Sequence, residues 1–376
     1  MVKNPFILAP YVSKELFCDR KEEMDNILQY LRNGRNITLI SPRRLGKTGL
    51  IYRVFDEIKT DGAEFDTIYV DISATQSIDD FIKVFAQAVV AALGHRSRIA
   101  SFFSALGGLR PLLSYDSISG SPELTITYRN EEEKPATLSN ILSFLEKNRK
   151  PVVVAIDEFQ QIREYEGINM EAVLRSHIQK LINVRFIFCG SKKHVMADMF
   201  SNAKSPFYAS TTPLSLKKLD VEVYTDFISD RFSENGKTID RDTIWFILDW
   251  SRGHTFYTQT LCNECFMISK SRVTMETVYE AINHILLSNV EYFLEIRRLI
   301  TTQQWALLKA IAKEGRVEHP TASSFLKKHG LSSGASVLKS LNALIEKELV
   351  LVSASAGNPV YMVYNVFLSR YLEILA

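Results

Sequence analysis

Residues 36–49 read Asn36-Ile-Thr-Leu-Ile-Ser-Pro-Arg-Arg-Leu-Gly-Lys-Thr-Gly49, and their pattern is the most informative feature of the chain. Its β-branched run Ile37–Ile40 predicts a short strand, and apolar residues that recur every three or four positions after Gly49 predict a helix. Lys47 and Thr48 stand where that helix begins. In a phosphate-binding loop, backbone N–H groups and the helix N-terminus hold phosphates, the lysine reaches the β and γ oxygens, and the hydroxyl ligates Mg²⁺. The turn therefore predicts a site for ATP or GTP.

The loop departs from the pattern G-x-x-x-x-G-K-[ST] at one position, because Ser41 stands where the first glycine belongs. The alternative interpretation is an unrelated turn before an amphipathic helix. A second stretch favours the nucleotide site, since Pro151-Val-Val-Val-Ala-Ile-Asp157-Glu158 is an apolar run that ends in two carboxylates. Such a run is typical of a strand buried on both faces of a parallel sheet.

At the tip of this strand, Asp157 is predicted to hold the Mg²⁺ shell and Glu158 to activate the attacking water. The alternative here is a core strand followed by a solvated acidic turn. That alternative competes poorly, because a phosphate-binding loop already lies upstream in the same chain.

Composition indicates a multi-domain protein with no strong demand for a polyanionic partner. The chain has 376 residues, of which 46% are hydrophobic and 23% charged, and its net charge is only +2. A chain of this length can bury about two or three cores. No stretch approaches the roughly 18 apolar residues of a membrane span, and the N-terminus lacks a signal-peptide pattern. We therefore expect a cytoplasmic protein with no membrane partner.

The four cysteines carry little chemistry. Cys262 and Cys265 form an isolated C-x-x-C in a helical pattern, without the second pair that a zinc site needs. The favoured interpretation is two small buried residues on one helix face. Cys18 and Cys189 are distant in sequence, and a reducing compartment would leave all four thiols free.

Short apolar runs alternate with helical patterns over residues 1–219, which predicts an α/β P-loop NTPase core with a five-stranded parallel sheet. The predicted strands are Ile37–Ile40, Thr67–Ile72, Val152–Ile156, Arg185–Cys189 and Pro213–Leu216. Ligands of such sheets bind at the carboxyl ends of the strands, where Asp71, Asp157 and Ser191 lie. The looser pattern from about residue 93 to 137 predicts an inserted loop or hairpin, and an ordinary surface excursion is the alternative.

From Asp220 onward the pattern predicts helices only, and residues 220–300 are assigned to a helical lid. The predicted helices are Val221–Phe232, Arg241–Trp250, Phe256–Ile268 and Met275–Arg298.

Residues 301–376 predict a winged helix-turn-helix, made of three helices and a β-hairpin. The third helix is expected to end near Glu348, and its apolar face to carry Val337, Leu338, Leu341, Leu344 and Ile345. The region holds eight Lys or Arg against five Asp or Glu. Its third helix brings only Lys339 and Lys347 as cations, so we expect weak or no DNA binding.

Together these motifs resemble the archaeal-type ATPases of the STAND branch of AAA+-like P-loop proteins. The loop Ser-Pro-Arg43-Arg44-Leu-Gly-Lys-Thr is similar to that family's G-P-R-R-x-G-K-T, and Asp157-Glu158-Phe-Gln160 to its D-E-F-Q. Further similar segments are the entry helix Phe17-x-x-Arg20-x-x-Glu23, the sensor strand end Phe188-Cys-Gly-Ser191, and the lid motif Arg252-Gly-His254-Thr-Phe-Tyr257. The resemblance spans nearly the whole chain, and it implies an extra strand between those that bear Lys47 and Asp157.

The motifs and the resemblance together define the predicted site. The predicted catalytic residues are Glu158, Asp157, Lys47 and Ser191. The predicted nucleotide-binding residues are Arg20, Ser41, Pro42, Arg43, Arg44, Leu45, Gly46, Lys47, Thr48, Gly49 and His254. Thr48 and Asp157 are the predicted Mg²⁺ ligands, and ATP or ADP is the expected nucleotide.

Two departures from the family pattern bear on activity. Thr255 replaces the proline of the lid motif, and Ser210 in Pro206-Phe-Tyr-Ala-Ser210 replaces an arginine that could act as a finger. An arginine finger contributes several orders of magnitude in rate, so nucleotide binding is expected to be more robust than hydrolysis.

The expected function is a Mg²⁺-dependent ATP-binding switch with slow ATPase activity. The alternative is a degenerate ATPase scaffold whose output is protein or DNA binding through the winged helix, and a DNA loader similar to replication initiators is a weaker third option. Candidate partners are another protein or a second copy of the chain.

Overall fold

The computed structural model describes residues 4–9, 11–62, 64–93, 96–106, 112–115, 122–125, 133–355 and 358–375. These residues form two compact units. One unit runs from Ala9 to Leu219, and the other combines the residues up to Leu8 with those from Asp220 onward. The finer division that we predict at residue 300 stays a prediction.

The first unit is a layered α/β structure. Its strands are β1 (Ile37–Ile40), β2 (Asp66–Asp71), β3 (Leu112–Tyr115), β4 (Pro122–Thr125), β5 (Val152–Asp157), β6 (Val184–Gly190) and β7 (Thr212–Ser215). Its helices are α1 (Lys21–Arg32), α2 (Lys47–Thr60), α3 (Ile78–Leu93), α4 (Arg96–Ala105), α5 (Glu133–Glu146), α6 (Met170–Ile178) and α7 (Lys193–Ser201), with a 3-10 turn over Phe159–Glu164.

The predicted five-stranded parallel sheet is confirmed, in the order β2-β5-β6-β1-β7. Strand β6 lies between β1, which leads into Lys47, and β5, which ends at Asp157, as the family resemblance implies. Every residue of β5 is buried. This full burial explains the continuous apolar run, because helices cover both faces of a parallel sheet. The sheet thus brings the two motifs to the same edge.

The segment between β2 and β5 holds more regular structure than a loop. Strands β3 and β4 pair antiparallel, with Leu112 opposite Thr125. Helix α4, which we did not predict, buries Phe102 completely and packs it edge-on against Phe144 at 5.1 Å between ring centroids. The remainder of the predicted insertion includes residues 107–111, 116–121 and 126–132, which lie outside the described residues.

The second unit is mostly helical. Its helices are α8 (Val221–Glu234), α9 (Arg241–Trp250), α10 (Thr255–Ile268), α11 (Met275–Ser288), α12 (Val290–Arg298), α13 (Thr302–Glu314), α14 (Ser323–His329), α15 (Gly334–Glu346) and α16 (Val366–Ile374). Its strands are β8 (Thr238–Ile239), β9 (Arg272–Val273), β10 (Val350–Ser355) and β11 (Asn358–Val363).

Two predictions for the helical region are wrong. It is not helical throughout, because β8 and β9 form a short parallel pair. The single helix predicted over Met275–Arg298 is two helices, since Asn289 leaves the helical conformation at φ −101° and ψ 0°. The Asn289 side-chain amide donates to the carbonyl of Ile285 at 2.7 Å, which satisfies the end of α11.

The winged helix is confirmed, with helices α13 to α15 followed by the antiparallel hairpin of β10 and β11. The expected burial of Leu338 is wrong: its side chain is 50% exposed, whereas Leu341 is 1% exposed. The buried face of α15 instead follows Val337, Leu341 and Leu344, which recur every three or four residues.

The start of the chain belongs to this second unit. The Phe6 ring is buried and packs against Phe232 at 4.6 Å and Phe266 at 6.3 Å between centroids. The Asn263 side chain donates to the Phe6 carbonyl at 2.6 Å, and the Asn4 side chain donates to the Asn263 carbonyl at 2.9 Å. These contacts anchor the first residues beside α8 and α10.

All four cysteines are buried and free, and the burial of Cys262 and Cys265 is as predicted. Burial raises the pKa of Cys265 to about 12 and raises that of Cys262 as well, which makes both thiols poor nucleophiles. Within the described residues, no helix combines the length and apolar character needed to cross a bilayer.

Candidate nucleotide-binding site

The loop between β1 and α2 accommodates serine at the position where the family has glycine. The Ser41 N–H donates to the Gly190 carbonyl at 3.3 Å, and its hydroxyl donates to the Pro42 carbonyl at 2.9 Å. Left-handed backbone in this loop occurs at Arg44 (φ 63°) and Gly46 (φ 96°), but not at Ser41. The Cβ of Ser41 therefore adds no backbone strain, so this departure does not disturb the loop.

Helix α2 begins at Lys47 with a terminus suited to an anion. Among the described residues, no side chain caps this end. The first N–H groups of a helix lack intrahelical acceptors, and the helix dipole places partial positive charge there. A phosphate group would accept hydrogen bonds from these N–H groups and would balance the partial positive charge.

The Lys47 ammonium lies between the two carboxylates that follow β5. Its Nζ is 3.0 Å from Asp157 Oδ1 and 3.2 Å from Glu158 Oε1. Burial alone would lower the pKa of Lys47, but the Asp157 and Glu158 carboxylates outweigh it and raise that pKa. The lysine is therefore held charged in this site, which suits it to bind a phosphate.

Asp157 accepts hydrogen bonds at both carboxylate oxygens. Oδ1 receives Lys47 and the Glu158 backbone N–H, the latter at 3.0 Å. Oδ2 receives the Thr48 hydroxyl at 2.7 Å and the Tyr69 hydroxyl at 2.9 Å. Burial would raise the pKa of Asp157, but Lys47 and these hydrogen bonds hold it below its ordinary value. The carboxylate stays ionised and oriented.

The oxygen donors of Thr48 and Asp157 fit Mg²⁺. They come from the adjacent ends of α2 and β5, and the ion prefers hard oxygen ligands. Within the described residues, no group of three or more His, Cys, Asp or Glu forms a metal cage. This combination suits Mg²⁺, because that ion commonly uses one or two carboxylates together with water and substrate phosphates.

Glu158 is restrained by several donors. Its Oε2 receives the Ser191 hydroxyl at 2.7 Å and the Gln160 side-chain amide, while Lys47 approaches Oε1. Arg43 Nε donates to Ser191 Oγ at 3.3 Å. Burial would raise the pKa of Glu158, but Lys47 and the bonds from Ser191 and Gln160 lower it. The structure thus joins the loop, the Asp-Glu pair and the end of β6.

Arg20 stabilises the phosphate-binding loop through a hydrogen bond to its backbone. Its side chain is buried and donates to Glu23 Oε1 at 2.8 Å and to the Leu45 carbonyl at 3.4 Å. Both Asp19 (φ 53°) and Arg20 (φ 64°) have left-handed backbone, which costs energy for residues other than glycine. Such strain often accompanies a functional site.

One predicted residue of the site comes from the other compact unit. His254 belongs to the second unit, where it precedes α10 and its ring packs on Tyr257 at 4.8 Å between centroids. Its contact with nucleotide stays a prediction. Sequence reasoning also missed two residues of the site, Tyr69 and Gln160. Gln160 follows the Asp-Glu pair in the quoted motif, whereas Tyr69 lies in an apolar run with no local signal.

Two sequence models of known domain families match the chain. The sequence model of an ATPase domain predominantly from Archaea matches residues 17–251, and that of a "probable winged helix domain" matches residues 291–374. No curated protein matches by sequence.

Solved structures share the fold over nearly the full length. The Walker-type ATPase of Pyrococcus abyssi aligns with a TM-score of 0.67 at 17% identity, over 98% of this chain and 99% of its own. The Aeropyrum pernix ORC2 protein, solved as ADPNP–ADP complexes, aligns at 0.62 and 11% identity, over 99% and 96%. The Aeropyrum pernix ORC1 protein in complex with DNA aligns at 0.54 and 14% identity, over 99% and 96%.

Proposed function

This chain belongs to the family of ATPase domains found predominantly in Archaea, and we propose that it is a Mg²⁺-dependent ATP-binding switch with slow hydrolysis. One observation carries the proposal: Lys47 and Thr48 at the start of α2 meet Asp157 and Glu158 at the end of β5 within 3.2 Å. These are the parts that phosphoryl transfer from a nucleotide requires.

Each residue of the group has a role in this proposal. The N-terminus of α2 and Lys47 bind the phosphates, and Thr48 and Asp157 hold Mg²⁺, which when bound neutralises charge that develops on the phosphates. Glu158 accepts the proton of the attacking water, and Ser191 orients Glu158. Lys47 leaves the carboxylates for the phosphates, so nucleotide binding releases Glu158 from its strongest partner.

Nucleotide binding is tested by Lys47→Ala. We expect at least a tenfold loss of ATP and ADP affinity in calorimetry with Mg²⁺, because a charge-assisted contact in a partly desolvated site disappears. Lys59→Ala is the matched control, since Lys59 is exposed near the other end of α2. Equal affinity of wild type and Lys47→Ala would contradict the site.

Hydrolysis is tested by Glu158→Gln. The amide keeps the shape of the side chain but cannot accept the proton, so we expect ATP to stay bound while single-turnover hydrolysis falls by about 10²-fold or more. Glu166→Gln is the control, because Glu166 is exposed after the 3-10 turn. Wild-type rates in Glu158→Gln would favour the scaffold alternative. A slow wild-type rate is expected because Ser210 stands where the resembled family has an arginine that could act as a finger.

A physical link inside the second unit supports the switch. Arg252, two residues before His254, donates to Ser369 Oγ at 2.7 Å and to the Val363 carbonyl at 3.2 Å. Phe367 of α16 packs against Tyr257 at 4.8 Å between ring centroids. Hydrogen bonds and ring packing therefore hold the turn that carries the lid motif against the winged helix. A nucleotide that repositions this turn would move the winged helix with it.

The alternative function is a nucleotide-holding scaffold that acts through protein or DNA binding. One structural neighbour is an ORC1 protein in complex with DNA, which makes duplex DNA a candidate partner here. The complete set of Lys47, Thr48, Asp157 and Glu158 favours the ATPase. Single-turnover hydrolysis with and without duplex DNA separates the two: a scaffold shows no turnover in either condition.

A further inference from the structure

We propose that Tyr69 is a positioning residue for the magnesium–nucleotide complex, because its phenol fixes the carboxylate of Asp157 from the neighbouring strand. The inference rests on the proposed function and names a residue that no family motif quoted above contains. Tyr69 donates to Asp157 Oδ2 at 2.9 Å across 88 positions of sequence.

The register of β2 and β5 makes this contact possible. Tyr69 is directly opposite Ala155, and Asp157 lies two residues further along β5 on the same face. A diagonal neighbour on the adjacent strand is within reach of an aromatic side chain. The opposing Ala155 has only a methyl group and is fully buried, so it leaves room for the phenol to reach the strand tip.

The ring of Tyr69 is itself held in place. Tyr52 of α2 packs against it at 4.8 Å between ring centroids, and Tyr69 lies against the hydrophobic core beneath α2. Within the described part of the chain, the Tyr52 hydroxyl has no hydrogen-bond partner. The two tyrosines therefore differ in hydrogen bonding, since of the two only Tyr69 bonds to Asp157.

The role of Tyr69 becomes clear when the roles of the other side chains that donate to Asp157 are considered. Lys47 is required by the phosphates, and the Thr48 oxygen is a predicted metal ligand, so both have a second task. Tyr69 has no such second task, and within the described residues its hydroxyl bonds to Asp157. Hydrogen bonds that orient a metal-binding group typically change metal affinity by about 10- to 100-fold when removed.

The test compares Tyr69→Phe with Tyr52→Phe. Each substitution removes one hydroxyl and keeps the ring. ADP affinity is measured by calorimetry with saturating Mg²⁺ and again in EDTA, and the ratio of the two gives the benefit of Mg²⁺. We expect this ratio to fall about tenfold in Tyr69→Phe and to stay within about twofold of wild type in Tyr52→Phe. Thermal unfolding without nucleotide checks that both variants are folded.

A double variant shows whether Tyr69 acts through the carboxylate. In an Asp157→Asn background, Tyr69→Phe should change the Mg²⁺ benefit no further, because the group that it positions has already been altered. An unchanged ratio in Tyr69→Phe, or an equal loss with Mg²⁺ and in EDTA, would overturn the positioning role while the proposed function stands. A wild-type chain that binds no ADP in either condition would overturn both.

Discussion

At the scale of single residues, Ala209 occupies a backbone conformation that favours glycine. Its φ is 50°, in the left-handed region, and it stands where the resembled family has the glycine of P-x-Y-G-R. Left-handed backbone costs an ordinary residue about 1–2 kcal/mol, and glycine avoids this cost but loses more entropy on folding. The chain therefore carries strain next to the missing arginine.

Ala209→Gly should raise the free energy of unfolding by about 0.5–1 kcal/mol, the balance of those two effects. The measurement is urea denaturation without nucleotide. Ala203→Gly is the control: Ala203 is exposed in the same connection without a positive φ, so the substitution should be neutral or destabilising. A loss of stability in Ala209→Gly would show that the left-handed conformation does not limit this turn.

At the scale of elements, α16 is fastened to the turn between α9 and α10. Besides the Arg252 contacts, Arg370 Nε donates to the Trp250 carbonyl at 3.0 Å, and its guanidinium lies over the Trp250 ring. Burial and the nearby Arg370 lower the pKa of Arg252, although Glu373 partly offsets this. A largely buried guanidinium is tolerated in such surroundings when hydrogen bonds satisfy its N–H groups.

Arg252→Ala should lower the free energy of unfolding by about 2 kcal/mol, since it removes hydrogen bonds from a charged donor and leaves their acceptors unsatisfied. Urea denaturation measures the loss, and limited proteolysis should cut earlier near α16. Arg272→Ala is the control, because that side chain is two-thirds exposed and lies 3.9 Å from its carboxylate partner. Equal stability of both variants would show that the hydrogen bonds of Arg252 contribute little to stability.

At the scale of the whole molecule, the winged helix has the shape of a DNA reader but little of the charge. Residues 301–376 carry a net charge of +3, and the exposed part of α15 presents Leu338 beside Lys339. Each phosphate contact adds about −0.9 to the slope of log affinity against log salt, so we expect weak duplex binding with a slope no steeper than about −3.

Fluorescence anisotropy measures duplex affinity at salt concentrations from roughly 50 to 200 mM. Over this range the affinity of a strongly basic protein changes greatly. Lys339→Ala should reduce the slope by about one if α15 approaches phosphates, and Lys59→Ala should not. Nanomolar, sequence-selective binding at physiological salt would contradict the expectation and make the chain a nucleotide-gated DNA binder.

Much of the fold was accessible from sequence because its signals are local. The strand–loop–helix around Lys47, the buried strand that ends at Asp157 and the helix–hairpin pattern after residue 300 each depend on neighbours a few positions away. Hydrophobic period and turn chemistry encode such elements directly. Among the exceptions are the break at Asn289 and the helix α16, which we did not predict, and at each of them one asparagine side chain caps the helix end.

Contacts between distant residues were decided by the tertiary structure. Tyr69 meets Asp157 because β2 and β5 pair in one particular register, and Ser191 reaches Glu158 because β6 is inserted beside β5. Leu338 is exposed because it lies off the face of α15 that Val337, Leu341 and Leu344 bury against the core. Sequence determined which chemical groups stand at the ends of which elements. Only the packed sheet decided which of them touch, since that depends on pairing order and register, and no local pattern encodes either.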